Sequence, residues 1–358
     1  MDFTDFSRQV LRNCDVTDAR YAGIYSVCGL AMRLRDLYKW EHNIPFWEEG
    51  DADAVLDWIG EKEHAWESLT SEAFAPLTLN GDRFDPFDTR HINAALNPHG
   101  SYYGAGYAHS LKPTFFLADI NKKSTVAGHT VWHLGREYAR DLLTLPAFSQ
   151  DDQIVLRGDA GRMFLWDQIM YINKAGRRPL ALAMQACGLP NAEPESIRSH
   201  MKTLLEVQQT VYLWHEVGEL EEQAFDRELW RQILSDYPHT VVEMFVRTLK
   251  DILADTGANG ALSFIVAHRH TAALGLYMAF VKGLFPLLCR EFVRAFDRFL
   301  NDPQWEILAS AKDTIRQKTT ALTERTIEIY CEGRRAQDPD GTRQAIETLM
   351  KQNGLIPE

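Results

Sequence analysis

The residues of this sequence that are best suited to chemistry lie in one predicted helix, residues 204–222. Apolar residues recur there at helical spacing, and His215, Glu219 and Glu222 continue the same stripe. A buried carboxylate needs a cation, a proton or a metal ion, because burial of a bare charge is costly. We therefore interpret His215 and Glu219 as candidate catalytic residues, and all three side chains as candidate metal ligands.

One hypothesis is a metal-dependent helical enzyme that uses iron or manganese. Di-iron and di-manganese sites in helical bundles usually contain two ExxH pairs. Here His215 precedes Glu219, which gives HxxxE, and the sequence shows no second motif of either kind. HExxH is also absent, which argues against a zinc protease. Further ligands would have to come from other helices, and the candidates are Glu63, His64, Asp167 and Asp251.

The alternative is a non-catalytic helical protein that binds a partner or a small ligand. In that case His215 and Glu219 form a structural pair, bonded to each other or to an arginine. The candidate arginines are Arg33, Arg35 and Arg247.

Two of these arginines follow a long apolar run. Residues 15–40 predict one central helix, apolar on nearly every face and opened by the cap residues Asp15, Thr17 and Asp18. Arg33 and Arg35 lie where charge returns. Arg35 either pairs with a neighbouring carboxylate, Asp36 or Glu41, or sits at the mouth of a pocket, where an arginine could clamp an anionic ligand.

The segment 80–109 is rich in glycine and aromatic residues and predicts a long loop. Its GAG triplet lacks the spacing of a dinucleotide-binding fingerprint. Tyr103 and Tyr107 would form an aromatic wall, and Gly104 and Gly106 would allow close approach of the backbone. We expect a ligand site where helix 204–222 meets this loop and the two arginines Arg33 and Arg35.

The remaining pattern predicts a mainly α protein, a bundle-like globule with one small β-hairpin at 112–134. The hairpin strands are separated by the polar triplet KKS. Asp51 or Asp53, Asp226 and Thr240 predict helix starts. Glu243, Arg247, Asp251 and Asp255 recur every four residues and predict a solvated salt-bridge ladder. A polar break predicts regions 1–150 and 151–358, which could also be one continuous fold.

Composition limits the function classes. The chain has 358 residues with 50 acidic and 38 basic side chains, a formal net charge of −12. This disfavours binding to nucleic acid or to an anionic membrane. No apolar stretch is long enough for a membrane span, and no signal peptide is evident.

The five cysteines form no CxxC pair, so we expect a cytoplasmic protein with reduced thiols. A homo-oligomer is possible, but the oligomeric state is not derivable from the sequence.

Several stretches together resemble an uncharacterised family of bacterial proteins, a domain of unknown function. The resemblance spans most of the chain as far as residue 284 and implies no activity or catalytic residue. It rests on CDVTDARYAGIYSVCGLAMRLRDLYKWEH at 14–42, YGAGYA at 103–108, KPTFFLADI at 112–120, LWDQI at 165–169, HEVGE at 215–219 and KDILADT at 250–256.

Overall fold

The computed structural model describes residues 3–108, 111–150 and 152–357. The chain divides into two compact units. The first comprises Met1–Phe148 and Val155–Met170, and the second comprises Ser149–Ile154 and Tyr171–Glu358. The sequence-based division at residue 150 stays a prediction. No helix within the described ranges is both long enough and apolar enough to cross a lipid bilayer.

Helices of the first unit begin at side chains that cap them. Ser26, Asp51 and Asp88 each accept a hydrogen bond from a backbone N–H three residues further on. The cap at Asp51 confirms one of the two predicted alternatives. The helices are α1 (Phe3–Tyr21), α2 (Val27–Glu41), α3 (Ala52–Glu67), α4 (Thr89–Leu96) and α5 (Gly158–Met170), with short 3-10 turns at Ala22–Ile24 and Asn97–His99.

The apolar run 15–40 is not a single central helix. The chain leaves α1, turns through the first 3-10 segment and re-enters a helix at α2. Val27, at the start of α2, is 86% exposed. Asp18 is buried inside the fold, where its carboxylate pairs with Lys112, a residue distant in sequence. The predicted helix start is wrong, because the three predicted cap residues lie inside α1: Asp15, Thr17 and Asp18.

The N-terminal half of the chain also carries much more sheet than the sequence indicated. Helices make up 62% of the chain, but the prediction of one small hairpin is wrong, because a curled five-stranded mixed sheet and a two-stranded sheet are present. The five strands are ordered β3-β4-β5-β7-β6. The strands are β1 (Leu77–Leu79), β2 (Asp82–Phe84), β3 (Ser101–Tyr107), β4 (Pro113–Val126), β5 (His129–Arg140), β6 (Ala147–Gln150) and β7 (Gln153–Arg157).

The predicted hairpin exists as β4 and β5, but its turn lies elsewhere. Val126 pairs with His129, so Ala127 and Gly128 form the turn, both with positive φ. Glycine adopts that conformation without strain, which places the turn there. The KKS triplet therefore lies within β4.

The predicted loop 80–109 is mostly regular structure. It contains β2, α4 and β3, and only His109 lies outside the described residues. In β3, Gly104 pairs with Phe116 of β4, and a Cβ at Gly104 would lie 2.0 Å from the Phe116 ring. The glycine lets this ring lie flat over the neighbouring strand, so its role is packing within a sheet.

Both faces of the sheet are covered, which explains the continuous apolar run in β4. Phe115 and Leu117 face α1 together with Tyr103, and Phe116 and Ala118 belong to a cluster on the opposite face. A strand buried on both faces loses the apolar–polar alternation by which strands are usually recognised. Each fully buried large apolar side chain contributes roughly 1.5–3 kcal/mol to stability.

A buried ionic triad ties α1 to the sheet. Lys112 Nζ lies 2.7 Å from Asp18 Oδ1 and 3.8 Å from Asp141 Oδ1, and all three side chains are buried. Asp18 also accepts the Leu142 N–H, and Asp141 accepts the Phe115 N–H at 2.7 Å. Burial raises the pKa of Asp18 to about 7, while Lys112 opposes that rise. The triad is a structural crosslink in which one buried ammonium group stabilises two buried carboxylates.

The second unit is helical, and its caps at Asp226 and Thr240 confirm the predicted helix starts. The apolar segment 262–284 breaks at His270, which caps a new helix by accepting the Ala273 N–H. The helices are α6 (Arg177–Ala186), α7 (Pro194–Glu221), α8 (Arg227–Asp236), α9 (Val241–Thr256), α10 (Ala261–Ala267), α11 (Thr271–Phe280), α12 (Phe285–Leu288), α13 (Arg290–Phe299), α14 (Trp305–Ala336) and α15 (Pro339–Gln352).

Helix α7 packs closely against α9 at Gly218. A Cβ there would lie 2.3 Å from the Ala254 carbonyl oxygen, so only glycine fits without a backbone shift. This close approach brings the polar end of α7 against the polar end of α9.

Candidate site on helices α7 and α9

Three side chains from two helices converge in the second unit. His215 and Glu219 are one turn apart on α7, and Asp251 lies on α9. One potential ligand atom from each lies within 4.8 Å of the other two. All three residues are partly exposed, so a solute can reach them. Over residues 3–108, 111–150 and 152–357, this is the one group of His, Cys, Asp and Glu side chains with metal-ligand proximity.

The His215 ring is held by a buried carboxylate. His215 Nδ1 lies 2.8 Å from Asp255 Oδ1, and the Tyr277 hydroxyl on α11 donates to Asp255 Oδ2 at 2.6 Å. A carboxylate on Nδ1 fixes the tautomer that carries its hydrogen on that nitrogen. The Nε2 lone pair is then available to take a proton or to bind a metal ion, as in carboxylate–histidine–metal arrangements.

The cluster contains more acidic than basic groups. Four carboxylates, those of Glu216, Glu219, Asp251 and Asp255, interact with His215. The nearby cations are Lys250, whose Nζ lies 3.0 Å from Glu219 Oε1, and Arg247, which pairs with Glu243 and also lowers the pKa of Glu219. These carboxylates and cations are counted among the residues that the structure describes. Glu216 and Asp255 are buried, and Glu219 and Asp251 are partly exposed. Such an excess of negative charge favours proton uptake or a bound cation.

The pKa values follow this imbalance. Burial raises the pKa of Glu216 to about 7 and that of Asp251 to about 7, and His215 opposes both rises. Burial would also raise the pKa of Glu219, but His215 and Lys250 outweigh it and lower that pKa. Burial opposes protonation of His215, yet Asp255 holds its pKa well above the usual value. The site therefore contains carboxyl groups that titrate near neutral pH.

The other predicted residue on this helix, Glu222, lies outside the group of three. Its carboxylate accepts the backbone N–H groups of Gln223 and Ala224 and lies 3.6 Å from Arg316 Nη2. Glu216 lies off the predicted stripe, which predicts it to be more exposed than His215 and Glu219, but it is instead buried at 8% exposure. The helix buries a wider face than the stripe indicated, because α7 is enclosed by several helices.

The predicted arginines belong to the first unit. Arg33 donates to the Leu142 carbonyl oxygen at 2.9 Å and lies over the Tyr25 ring. Arg35 donates to Asp36 at 2.8 Å and to Asp167 at 3.1 Å. Both guanidinium groups thus have partners within their own unit, and their expected role beside His215 stays a prediction.

The two tyrosines also belong to the first unit, and they differ in environment. Tyr103 is buried, and its hydroxyl donates to the Pro86 carbonyl oxygen at 2.7 Å. Tyr107 is 65% exposed and stacks on Phe87 with ring centroids 5.1 Å apart. Tyr103 is thus a core residue, whereas Tyr107 has a ring face available to solvent.

Of the four further ligand candidates, Asp251 is the one placed beside His215 and Glu219. Glu63 and His64 are exposed on α3. Asp167 lies on α5 and pairs with Arg35 of α2. The prediction that the α9 charge row is solvated is wrong, because Glu243 and Asp255 are buried.

Asp255, Lys250 and Tyr277 were not identified as site residues from the sequence. The available signal was the i, i+4 spacing of Asp251 and Asp255 on α9, which is the same spacing as His215 and Glu219 on α7. Two such pairs on antiparallel helices can face each other, but one sequence does not show which helices pack together.

Comparison with known proteins gives a family without a known activity. The chain matches the N-terminal domain of a family of unknown function, DUF6866, over residues 5–157, and the C-terminal domain of the same family over residues 162–353. No curated protein and no solved structure matches the chain. Because the two matches together cover most of its length, the chain belongs to the DUF6866 family.

Proposed function

We propose that this member of the DUF6866 family is a metal-dependent enzyme whose divalent ion is held by His215, Glu219 and Asp251. The observation that supports the proposal is the convergence of three potential ligand atoms, from two packed helices, within 4.8 Å. His215 is oriented for this role by Asp255, which contacts the ring nitrogen that a metal ion would not use.

The donor set fits iron or manganese. One imidazole and two carboxylates are ligands that suit Mn²⁺ and Fe²⁺, and no soft thiolate belongs to the group. Two donors that share one ion at about 2.1 Å are separated by at most about 4.2 Å. Separations of up to 4.8 Å therefore need only a small rotamer adjustment by the carboxylates.

Charge also favours a cation at this position. In the absence of a metal ion, the negative charge is balanced in part by protonated His215 and by Lys250, which contacts Glu219. A divalent ion would replace the proton on His215 and reduce the repulsion that helps to keep the pKa of Asp251 near 7.

The side chains around the ligands supply proton transfer. When bound, the ion would polarise a substrate oxygen and lower the pKa of a coordinated water. Glu216, with a pKa of about 7, is suited to accept and return a proton near neutral pH. Tyr277 and Asp255 position the imidazole, since the hydroxyl donates to the carboxylate and the carboxylate accepts from Nδ1.

Metal analysis of protein purified without chelator tests the proposal. We expect about one equivalent of iron or manganese per chain, since one ligand group is present among the described residues. Glu219→Gln and Asp251→Asn should each lower metal affinity by tenfold or more, a loss of about 1.4 kcal/mol or more. Glu206→Gln, an exposed position on the same helix, is the matched control and should retain the metal.

The second candidate function is a non-catalytic helical protein that binds a partner or a small ligand. The observation that favours it is that His215 already pairs with Asp255, and Glu219 with Lys250. Under this alternative, added Mn²⁺ or Fe²⁺ raises neither bound metal nor thermal stability. That result would reject the metal-dependent enzyme.

A further inference from the structure

A cleft in the first unit has the size of a small-molecule site. Its volume is about 580 Å³, within the range of ligand pockets in proteins. The walls come from Leu11 of α1 and from three segments: residues 39–47 at and after the end of α2, residues 136–140 of β5 and residues 159–163 of α5. Trp40 and Phe46 provide aromatic surface, and Arg140 and Arg162 provide positive charge. None of the residues discussed at the α7–α9 site lines it.

Arg140 is the least satisfied charged group in this wall. Its side chain is buried, and its Nε and Nη1 have no hydrogen-bond partner within the described parts of the chain. Its Nη2 contacts the Met163 sulfur at 3.2 Å, and a thioether is a weak acceptor. A buried guanidinium with unpaired donors is costly, because each donor has lost its bonds to water.

The carboxylate beside Arg140 is largely committed elsewhere. Glu137 Oε2 lies 3.7 Å from Arg140 Nη1, beyond hydrogen-bond distance, while Glu137 Oε1 accepts from Arg157 Nε at 2.8 Å. Two buried arginines therefore share one carboxylate. Asp36 and Asp159 also act on the Arg140 charge, but its Nε and Nη1 still have no hydrogen-bond acceptor within the described residues.

Charges of both signs line the cleft, and the basic side chains outnumber the acidic ones: Lys39, Arg136, Arg140 and Arg162 against Glu41, Glu137 and Asp159. Arg136 is exposed on its wall and lies over the Tyr138 ring. Arg162 pairs with Asp159. Both residues belong to the first turns of α5, so the N-terminal end of this helix lines the cleft. A helix N-terminus adds favourable potential for a negative group.

We propose that this cleft binds a small organic anion whose carboxylate or phosphate oxygens accept hydrogen bonds from Arg140, with its apolar part against Trp40 and Phe46. The anion reaches Arg140 by displacing the Met163 thioether, whose flexible side chain moves at low cost. The ligand oxygens replace this weak contact with charge-assisted hydrogen bonds. The proposal does not depend on the metal site of the second unit.

Calorimetric titration of the full chain with benzoate, phenyl phosphate and inorganic phosphate tests the proposal. We expect one site per chain for at least one probe. Comparison of benzoate with phenyl phosphate identifies the preferred oxyanion, and comparison of phenyl phosphate with inorganic phosphate tests the contribution of the ring. Arg140→Lys should weaken binding by about tenfold or more, since one charge-assisted hydrogen bond contributes about 1.5–3 kcal/mol.

Two further variants separate loss of binding from loss of folding. Arg136→Ala removes an exposed wall charge and should weaken binding several-fold while the protein stays folded. Arg83→Ala, an exposed arginine of β2 outside the cleft, should bind like the parent protein. Absence of binding for all three probes overturns the proposal, as does equal affinity in the parent, Arg136→Ala and folded Arg140→Lys proteins.

Discussion

His215 and Asp255 are joined across two helices of the second unit, with Nδ1 2.8 Å from Oδ1, although 40 residues separate them in the chain. The contact decides how the imidazole is used, because it occupies Nδ1 and leaves Nε2 to take a proton or to bind a metal ion. The Tyr277 hydroxyl in turn holds the carboxylate.

Asp255→Asn should lower the pKa of His215 toward its ordinary value of about 6.5. Burial opposes protonation of this imidazole, and the Asp255 charge is the largest cause of the raised pKa. NMR titration of the histidine resonances measures the change. Asp313→Asn, at an exposed carboxylate on α14, is the control and should leave the titration unaltered.

The same pair predicts a pH dependence of stability. The folded pKa of His215 lies above its unfolded value, so its stabilisation is complete below the unfolded pKa and is lost as pH rises through the folded pKa. The difference in unfolding free energy between the parent and Asp255→Asn should therefore shrink at alkaline pH. Urea unfolding at a series of pH values would show it, and a constant difference would contradict this assignment.

Lys112→Met should destabilise the protein by roughly 3–5 kcal/mol, because two buried carboxylates would lose their cation. Asp18 and Asp141 are each at most 1% exposed and have no access to solvent counter-ions. Lys122→Met, at an exposed position on β4, the strand that begins directly after Lys112, should change stability by less than about 0.5 kcal/mol. Urea unfolding measures both, and similar losses for the two variants would rule out a structural role for the triad.

Gly104→Ala should destabilise the sheet by about 1–3 kcal/mol, because the new methyl group would overlap the Phe116 ring. Gly60→Ala is the matched control. It lies within α3 with no atom within 4 Å of a built Cβ, so it should be neutral or stabilising by up to about 1 kcal/mol. Thermal unfolding distinguishes the two, and an unchanged melting temperature for Gly104→Ala would mean that Phe116 moves freely.

Asp167→Asn should flatten the pH dependence of stability between about pH 4 and 7. Burial raises the pKa of Asp167 to about 7, with Asp36 adding to the rise and Arg35 opposing it. A folded pKa above the unfolded value gives stabilisation that is complete below the unfolded pKa and is lost as pH rises through about 7. Asparagine removes this titration. Parallel stability profiles for the two proteins across that range would contradict the prediction.

Local patterns determined several features of this protein from sequence alone. The caps at Asp51, Asp226 and Thr240 involve a side chain and a backbone N–H two or three residues apart, so they are readable without knowledge of the fold. The placement of His215 and Glu219 on one helix face follows in the same way from helical periodicity. Such contacts are complete within one or two turns of chain.

Tertiary structure alone decided which of these groups meet. Strand β3 was predicted as a loop because Gly104 is a poor strand residue by itself, and only the Phe116 ring on the adjacent strand explains it. Asp255 was predicted to be solvated because its ladder partners lie on its own helix, yet α7 supplies His215 instead. The physical reason is common to both cases. Burial and pairing depend on residues far away in sequence, and the helical and strand periods of one segment carry no information about the segment that packs against it.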